Sequence, residues 1–585
     1  MEHQKRLAQN LSCLCKYHPD IYPLIQTSSR YEPDIETGDA GHSVSSVRSS
    51  LESGSDYFYW IGFGDGAAFD QCVDEIVSEN RGVMVVEPSL EIFVSALYYH
   101  DMRKWLKNLK VEWVIGGGYE TQLELIWRRS LCYAAANPLF IITSSAVSVD
   151  RFNLLKGMLD YIRIECIRRK KVLTDRIKNL PSILKDRKDG PLRVWTFDDF
   201  RGRARFSTIQ SVLIRNIFHG LRNKGCQTEY TVLRDGHYYP PYYRVFKMAL
   251  FEPDIIFMCN QGAAYDTALG AELSRSLPIP KVIWFADDPV YAEHLILRNK
   301  TSPEETYLVA DYEWGDPLVE NGAAPPQFMP GAATRTRRGK KRGSRKCELV
   351  FVGQVRDQRA FFQSLSPAWR TYCQKVIQEK LRFPRKKVRE VMAQFPLPGK
   401  LEADRTDELR QKVLWEANTR FRLKVIQSLS DYDLRIYGND AWLSLLPPKM
   451  AERCFRGLLR FKHLFEVYRN AAITLNIHSL QSYTCLNVRD FDVPASGGFL
   501  LSDWLPRAEE VFKPGFVTDF PLEDVSDQEV FFYRSPLELK KLVDYFLVHE
   551  DQRNSCIERS RQRVLAEHTY AHRADFLHEL FGNIR

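Results

Sequence analysis

Short apolar runs alternate with helical patterns along most of this chain. Between residues 190 and 334, five such runs end in polar residues, and helical segments separate them. Apolar strands that alternate with helices form a parallel sheet, and the loops at the carboxyl ends of its strands carry function. The pattern therefore predicts an α/β unit with functional residues after the runs RVWTF, EYTVL, DIIFM, KVIWFA and TYLVA.

A second α/β pattern opens after residue 346 and contains the most informative stretch of the chain. A β-rich run from Ala472 to Ile477 stops at His478, and a loop and a short helical pattern follow it. A second apolar run, Phe499 to Leu501, then stops at Asp503. This order is typical of a βαβ unit, in which ligands bind at the carboxyl ends of the strands and at the helix N-terminus.

Polar side chains of this unit suit a nucleotide sugar. The N–H groups that open the helix lie next to an arginine, which favours a phosphate, and a carboxylate one turn further in can hold a sugar or ribose hydroxyl. We therefore predict a nucleotide-sugar pocket near His478, Asn487, Arg489 and Asp492.

A further strand and glycine pattern begins at Tyr57. The run YFYWIGFGDG contains Gly62, Gly64 and Gly66, and the next strand-like run, VMVVE, ends at Glu87. A glycine loop followed by an acid at the end of the next strand is the Rossmann arrangement, in which the acid binds ribose hydroxyls. Two interpretations stay open: a structural or interaction domain with an empty pocket, and an S-adenosylmethionine-dependent methyltransferase.

Composition bears on the class of protein. No run approaches the roughly 18 apolar residues of a membrane helix, and the polar start MEHQKRLAQN is unlike a signal peptide. We therefore expect a cytoplasmic protein without a transmembrane segment. The twelve cysteines have no CxxC spacing, which favours reduced thiols over a zinc site or disulfides. His568 and His572 are four residues apart but have no third ligand at a recognised spacing, so no metal is expected.

The net charge of +8 comes from one segment. Residues 335–346, RTRRGKKRGSRK, hold eight basic residues and no acidic one, so the rest of the chain has no net charge. A basic face for nucleic acid is therefore not predicted. We interpret the segment as a solvated linker, with contact to phosphate or an acidic polymer as the alternative.

At several of these stretches the chain resembles a known family. The run NVRDFDVPASGGFLLSD, residues 487–503, is similar to the signature of the CgeB-like glycosyltransferases, named after a spore maturation protein. Asp492 stands where that family has Glu, and Thr484 stands where related retaining transferases place the first of two glutamates. Further matches are WFADDP from Trp284, LRIYG from Leu434, E-x-x-F-x-P-G from Glu509 and VLAEHTYAHR from Val564.

The resemblance implies a GT-B fold, with two Rossmann-like halves that face a cleft. Ahead of them we expect an additional Rossmann-like N-terminal domain, which loosely resembles that of Maf-type flagellin glycosyltransferases. The family pattern adds further donor-binding residues, Gly353, Tyr437, Gly438, Gly497 and Gly498. It implies catalytic roles for Asp287, Asp288, Arg359 and Arg489. The alternatives are a capped turn for the two aspartates and an exposed helical arginine for Arg359.

Domains of about 100 to 200 residues predict three or four domains in 585 residues. The predicted segments are a flexible lead-in (1–54), a Rossmann-like N-terminal domain (55–147), a helical connector (148–189), the acceptor half (190–334), the basic linker (335–346), the donor half (347–550) with a helical insertion (361–428), and C-terminal helices that brace the hinge (551–585).

We predict a glycosyltransferase, hexosyl or other, that moves a sugar from a nucleotide-sugar (NDP-sugar) donor to an unknown glycan or protein acceptor. Related transferases imply a retaining reaction, and the residues require no metal or other cofactor. The alternative is a scaffold without catalytic activity that binds a sugar nucleotide or a glycan.

Overall fold

A computed structural model of the chain describes residues 2–26, 57–64, 66–78, 81–129, 138–142, 149–186, 190–199, 209–233, 243–260, 279–289, 305–334, 346–400, 403–517 and 527–585. These residues form three parallel β-sheets with helices packed on them. The α/β fold predicted from the alternating pattern is confirmed, and so is the extra Rossmann-like unit ahead of the two halves. Most of the basic linker, residues 335–345, lies outside the described residues.

The first sheet lies in the N-terminal region. Its strands are β1 Tyr57–Ile61, β2 Gly82–Glu87, β3 Val111–Ile115 and β4 Pro138–Ile142, in the order β3-β2-β1-β4. The helices are α1 Glu2–Tyr17, α2 Tyr22–Gln26, α3 Ala67–Ser78, α4 Leu90–Tyr99, α5 Arg103–Leu106 and α6 Tyr119–Arg129. The Asn10 amide of α1 donates to the carbonyls of Leu97 and His100, each at 2.7 Å. The lead-in expected to be flexible therefore begins with a packed helix.

The second sheet forms the first of the two facing halves. Its strands are β5 Arg193–Asp199, β6 Gln227–Leu233, β7 Ile255–Cys259, β8 Lys281–Phe285, β9 Glu305–Val309 and β10 Gln327–Phe328, in the order β10-β9-β8-β7-β5-β6. Its helices are α7 Val149–Asp186, α8 Ile209–Asn223, α9 Tyr243–Phe251 and α10 Asp316–Glu320. The long helix α7 buries Leu155 and Ile162 against the first sheet and Leu180 against the second.

The third sheet forms the second half. Its strands are β11 Cys347–Val352, β12 Leu434–Tyr437, β13 Ala471–Asn476, β14 Leu500–Asp503, β15 Pro514–Gly515 and β16 Val530–Tyr533, in the order β12-β11-β13-β14-β16-β15. The helices are α11 Arg359–Ser364, α12 Pro367–Arg382, α13 Val388–Met392, α14 Ala403–Gln427, α15 Ala441–Leu445, α16 Pro448–Cys454, α17 Phe461–Asn470, α18 Val488–Ser496, α19 Pro536–Val548, α20 Glu550–Glu567 and α21 Tyr570–Ile584. The βαβ unit predicted around residues 472–503 is β13, α18 and β14.

The two halves have the GT-B arrangement. In each of these sheets the first strand lies between the second and the third, so the connections run in opposite directions on its two sides. Ligands of open α/β sheets bind in the crevice at this switch point. In the third sheet the switch point lies between β11 and β13.

The last helix, α21, returns to the first half and packs against α8. Its residues Ala574, Leu577 and Phe581 belong to the core of the second sheet. A Cβ atom added at Gly220 of α8 would lie only 2.5 Å from the Ala574 Cβ. Within the described part of the chain, no helix has the length and apolarity needed to cross a bilayer.

Candidate functional site

Two arginines meet at the switch point of the third sheet. Arg422, from α14, donates to the Gln354 carbonyl after β11 at 2.5 Å and to the Ile477 carbonyl after β13 at 3.3 Å. Arg489, in the first turn of α18, donates to the side-chain oxygen of Asn476. We call this place, with Gln354, Ile477, Arg422 and Arg489 around it, the β11–β13 crevice.

Positive charge is concentrated in the β11–β13 crevice. The guanidinium carbons of Arg422 and Arg489 lie 6.0 and 5.9 Å from the centroid of the Phe351 ring. Burial, and next the charge of Arg489, lower the pKa of Arg422 to about 10. Within the described residues, the Nε atom of each arginine is buried without a hydrogen-bond partner. Two neighbouring guanidinium groups with unpartnered N–H donors favour the binding of an anion.

The predicted glycine residues after β11 and β12 come together. The Gly353 amide donates to the Tyr437 carbonyl at 2.9 Å. A Cβ atom at Gly438 would lie 2.2 Å from the Gly353 carbonyl oxygen, so only glycine permits this approach. The Trp442 indole donates to the same oxygen at 2.9 Å. These contacts bring Gly353, Tyr437 and Gly438 together beside the crevice.

The start of helix α18 is capped by its own side chains. The Asn487 side chain accepts from the Arg489 amide at 2.8 Å, and the Asp490 carboxylate accepts from the Asn487 amide at 2.9 Å. At the other end, Gly497 has a left-handed φ of +83° and ends the helix. A Cβ atom at Gly498 would lie 2.8 Å from the Tyr468 carbonyl oxygen, so this position needs glycine for packing.

His478 is enclosed between two carboxylates. Its Nε2 lies 2.7 Å from Asp490 and its Nδ1 lies 2.7 Å from Asp503, and all three side chains are buried. Burial alone would lower the pKa of His478, but the charges of Asp490 and Asp503 outweigh it and raise that pKa to about 9. Arg385 also donates to Asp503. Both ring nitrogens of His478 are therefore engaged within the protein.

Asp492 contacts the end of the first half. Its Oδ1 accepts from the Thr334 amide at 2.7 Å, and the Thr334 hydroxyl lies 2.9 and 3.0 Å from its two oxygens. Burial raises the pKa of Asp492 to about 7, although the hydrogen bonds from Thr334 oppose this. The hydroxyl-binding role expected of Asp492 stays a prediction.

The two arginines after the glycine loop differ in their surroundings. Arg359 begins α11, is exposed, and pairs with Asp357 through its Nε at 2.9 Å. The Arg356 guanidinium lies 3.5 Å from the centroid of the Trp415 ring. It is also close enough to Asp287 for the two charges to interact. Arg356, rather than Arg359, therefore has an electrostatic contact with the first half.

The two aspartates of WFADDP have different partners. Asp287 is open to the cleft and accepts from the Asn260 amide at 2.7 Å and from the Gln481 amide at 2.9 Å. The surrounding protein desolvates this carboxyl and raises its pKa, and these two amides and Arg356 oppose the shift. Asp288 is buried, and the Tyr483 hydroxyl donates to it at 3.3 Å.

A loop of the second half is fastened to the first half by Asp311. One oxygen of Asp311 accepts from the amides of Tyr483, Thr484 and Cys485 at 2.8, 2.8 and 3.1 Å. Its other oxygen accepts from the Thr484 hydroxyl at 2.6 Å. We call residues 481–485 the docking loop. Thr484 is thus engaged in joining the halves.

Part of the second half is similar to a known family. Residues 410–579 match the family model described as Glycosyl transferase-like. This glycosyl transferase-like region holds both arginines of the β11–β13 crevice, helix α18 and the start of α21. A comparison with curated proteins finds no match.

Several solved structures are similar to the chain. An alpha-glucosyltransferase in complex with UDP-glucose and DNA containing an abasic site is 10% identical, with 67% of this chain and 100% of that chain covered and a TM-score of 0.39. Anabaena HepE in complex with UDP-glucose is 12% identical, with 67% and 100% covered and a TM-score of 0.35. The Maf glycosyltransferase from Magnetospirillum magneticum is 13% identical, with 48% and 54% covered and a TM-score of 0.21.

The predicted acid of the N-terminal sheet is occupied by protein groups. Glu87 is buried and accepts from the amides of Phe63 and Ser89 at 2.7 and 2.8 Å. Arg151 pairs with both of its oxygens, at 2.9 and 2.8 Å. The side chain expected to hold a ribose therefore joins β1, β2 and α7.

Sequence reasoning missed Arg422, which belongs to the helical insertion outside the glycosyltransferase motifs. It is 68 residues from Gln354 and 55 from Ile477 along the chain, so no local spacing indicates the contact. An arginine on the face of α14 turned toward the sheet is the one available signal. Among the described residues, no group of three or more His, Cys, Asp or Glu side chains could hold a metal ion.

Proposed function

We propose that this chain is a glycosyltransferase that moves a sugar from a nucleotide-sugar donor to an acceptor. The observation that carries the proposal is the pair Arg422 and Arg489 at the switch point of a glycosyl transferase-like sheet. A diphosphate in the β11–β13 crevice would neutralise both cations and accept from their unpartnered Nε groups. Charged hydrogen bonds of this kind are about twice as strong as neutral ones.

In the proposed reaction, the bond from the anomeric carbon to the diphosphate oxygen breaks, and the oxygen of an acceptor hydroxyl bonds to that carbon. The hydroxyl proton passes to an oxygen of the departing diphosphate. The departing diphosphate gains negative charge, which Arg422 and Arg489 stabilise more in the transition state than in the bound donor. Asp287 would accept a hydrogen bond from the acceptor hydroxyl, since it is open to the cleft on the side of the first half.

The other predicted donor residues have supporting roles in the proposal. Gly353, Tyr437 and Gly438 shape the wall of the crevice, and Gly497 and Gly498 fix the end of α18. His478 and Asn487 hold the strand end and the helix start in place. An ionised carboxylate has about four acceptor positions. In its ionised form Asp492 therefore keeps capacity for a donor hydroxyl beside its bonds to Thr334.

The finer features of the proposal come from the family resemblance. The run of residues 487–503 supports a CgeB-like transferase. Related transferases imply that it retains the anomeric configuration, and stabilisation of the diphosphate by arginines requires no metal. The acceptor would be a glycan or a protein. Donor turnover distinguishes this enzyme from a binding scaffold.

Thermal stability with nucleoside diphosphates tests the donor site. UDP, GDP, ADP and dTDP should be screened, because a ligand at a hundredfold excess over Kd stabilises the native state by about 2.7 kcal/mol. We expect at least one of them to raise Tm. Arg422→Ala and Arg489→Ala should each weaken its binding about tenfold to a hundredfold, since a hydrogen bond to a charged group contributes about 1.5 to 3 kcal/mol.

Arg359→Ala is the matched control, since it removes an exposed arginine near the same sheet. It should keep the full nucleotide shift. If the Arg422 and Arg489 variants bind as the wild type does, the crevice is not the donor site. Release of free sugar from the matching nucleotide sugar, measured without acceptor, would show an enzyme. Binding without any release would favour the scaffold.

A further inference from the structure

Asn260 has an unusual backbone conformation at the cleft. It follows β7 directly and has a φ of +48°, in the left-handed region. Among the described residues, only Glu252 shares this feature without being glycine. Asparagine tolerates this region better than most residues, but it still costs free energy, and such positions cluster at functional sites.

The Asn260 side chain forms hydrogen bonds with the residues that follow the neighbouring strand β8. Its Oδ1 accepts from the amides of Ala286 and Asp287 at 2.6 and 3.0 Å. Its Nδ2 donates to the Oδ2 of the Asp287 carboxylate at 2.7 Å. One amide group therefore holds both the backbone and the side chain of Asp287.

Gln481 holds the other oxygen of the same carboxylate from the opposite half. Its Nε2 donates to Asp287 Oδ1 at 2.9 Å. The main-chain carbonyl of Gln481 accepts from the Trp314 indole at 2.8 Å. Asp311 holds the rest of the docking loop through hydrogen bonds. Gln481 is therefore in place only while the docking loop contacts the first half.

We infer that Asn260 and Gln481 are positioning residues that aim the Asp287 carboxylate at the acceptor, and that contact between the halves completes this orientation. The role of Asp287 as acceptor-binding group rests on the proposed function. Its orientation by two amides, one from each half, does not.

Neutral amides suit this task better than cations. Each donates one hydrogen bond to one oxygen, which leaves about half of the acceptor positions of the carboxylate open for a hydroxyl. A hydrogen-bonded cation would hold the carboxylate as well but would make it a weaker base. The charged group that acts on Asp287 is Arg356 across the cleft, whereas the neighbouring Asp288 is buried against Tyr483.

A crystal structure of Asn260→Gly tests the orientation directly. Glycine adopts a φ of +48° without strain, so this variant keeps the backbone and removes only the amide. We expect the Asp287 carboxylate to leave its position or become disordered. Glu252→Gly is the matched control, because it relaxes the same backbone conformation before β7, at the other end of that strand from Asn260. An Asp287 carboxylate that stays in place in Asn260→Gly would overturn the inference, whatever the protein does as an enzyme.

Donor turnover tests the consequence, with the nucleotide sugar that the wild type hydrolyses. Gln481→Ala should lower kcat about tenfold or more, because a misplaced catalytic group is costly, and should leave the donor KM unchanged. Asn260→Asp keeps the acceptor oxygen but places a second carboxylate against Asp287, so the acid limb of the kcat profile should move to higher pH.

Failure of the proposed function and failure of the positioning roles give different results. A wild type that turns over no nucleotide sugar removes the proposed function and leaves the structural test of orientation decisive. Turnover by Gln481→Ala at the wild-type kcat, or an unmoved acid limb in Asn260→Asp, would refute the positioning roles alone.

Discussion

At the scale of single residues, His478 shows how a polar strand end serves the protein itself. The sequence marks it as a ligand-binding candidate because it follows an apolar strand. Its partners Asp490 and Asp503 are polar residues of the same stretch, and their pairing appears only when α18 and β14 fold back on β13. The sequence pattern of a polar residue after an apolar strand does not distinguish a buried charged histidine from a histidine that binds a ligand.

His478→Gln should destabilise the protein in a pH-dependent way. Removal of one partner from buried charges costs about 3 to 5 kcal/mol. The pKa of His478 rises from 6.5 to about 9 on folding, so its contribution is fully present below pH 6.5 and is lost as pH rises through about 9. Urea unfolding at pH 6 and pH 9.5 should therefore show a larger difference between wild type and variant at pH 6.

His463→Gln is the control for that measurement, because His463 is half exposed on the surface. It should change the free energy of unfolding little at either pH. A deficit of His478→Gln that is equal at both values would mean that the buried histidine is neutral.

At the scale of elements, the close ends of β11 and β12 depend on one missing side chain. The Gly438 position lies against the Gly353 carbonyl oxygen, and the same oxygen accepts from Trp442. A Cβ atom at position 438 would lie 2.2 Å from the Gly353 carbonyl oxygen. A rotamer change cannot relieve this clash because the oxygen belongs to the backbone. The strand ends must separate instead, and the crevice beside them changes shape.

Gly438→Ala should lower Tm and reduce the nucleotide-dependent shift together. Overpacking of this kind costs about 1 to 3 kcal/mol. Gly399→Ala is the matched control, since a Cβ atom there meets nothing within 4 Å. Differential scanning fluorimetry with and without the nucleoside diphosphate identified by screening measures both effects. A full nucleotide shift in Gly438→Ala would separate this glycine loop from the donor site.

The elements that sequence predicts well are those with a local signal. The βαβ unit of β13, α18 and β14 follows from two apolar runs, a capping residue and a glycine stop. Arg422 does not follow, because its contacts to Gln354 and Ile477 depend on how α14 crosses the sheet. The contacts of Arg356 also depend on tertiary packing and cannot be predicted from local sequence. The family pattern favours Arg359, and the packing of Arg356 on Trp415 and its interaction with Asp287 appear only in the fold.

At the scale of the whole molecule, the two halves are joined by buried and exposed contacts of different strength. Asp311 is buried and accepts three amides and a hydroxyl from the docking loop. Asp316 on α10 pairs with Lys387 at 2.6 Å, but the Asp316 side chain is exposed. Exposed ion pairs contribute about 0 to 1 kcal/mol, whereas each buried hydrogen bond to a charged group contributes more.

Asp311→Ala should release the docking loop, while Asp316→Ala should not. Hydrogen exchange followed by mass spectrometry reports this difference. We expect the amides of Tyr483, Thr484 and Cys485 to exchange at least about tenfold faster in Asp311→Ala, since each loses a charged acceptor. Equal protection of this segment in the two variants would mean that other contacts hold the halves together.

The return of α21 to the first half sets an order for folding during synthesis. The core of the second sheet includes Tyr570, Ala574, Leu577 and Phe581. The ribosome makes these residues after the other elements of the second half, so the side of α8 that packs on α21 stays uncovered until α21 has left the ribosome. A chain that stops before α21 should therefore expose this part of the first core and aggregate more readily.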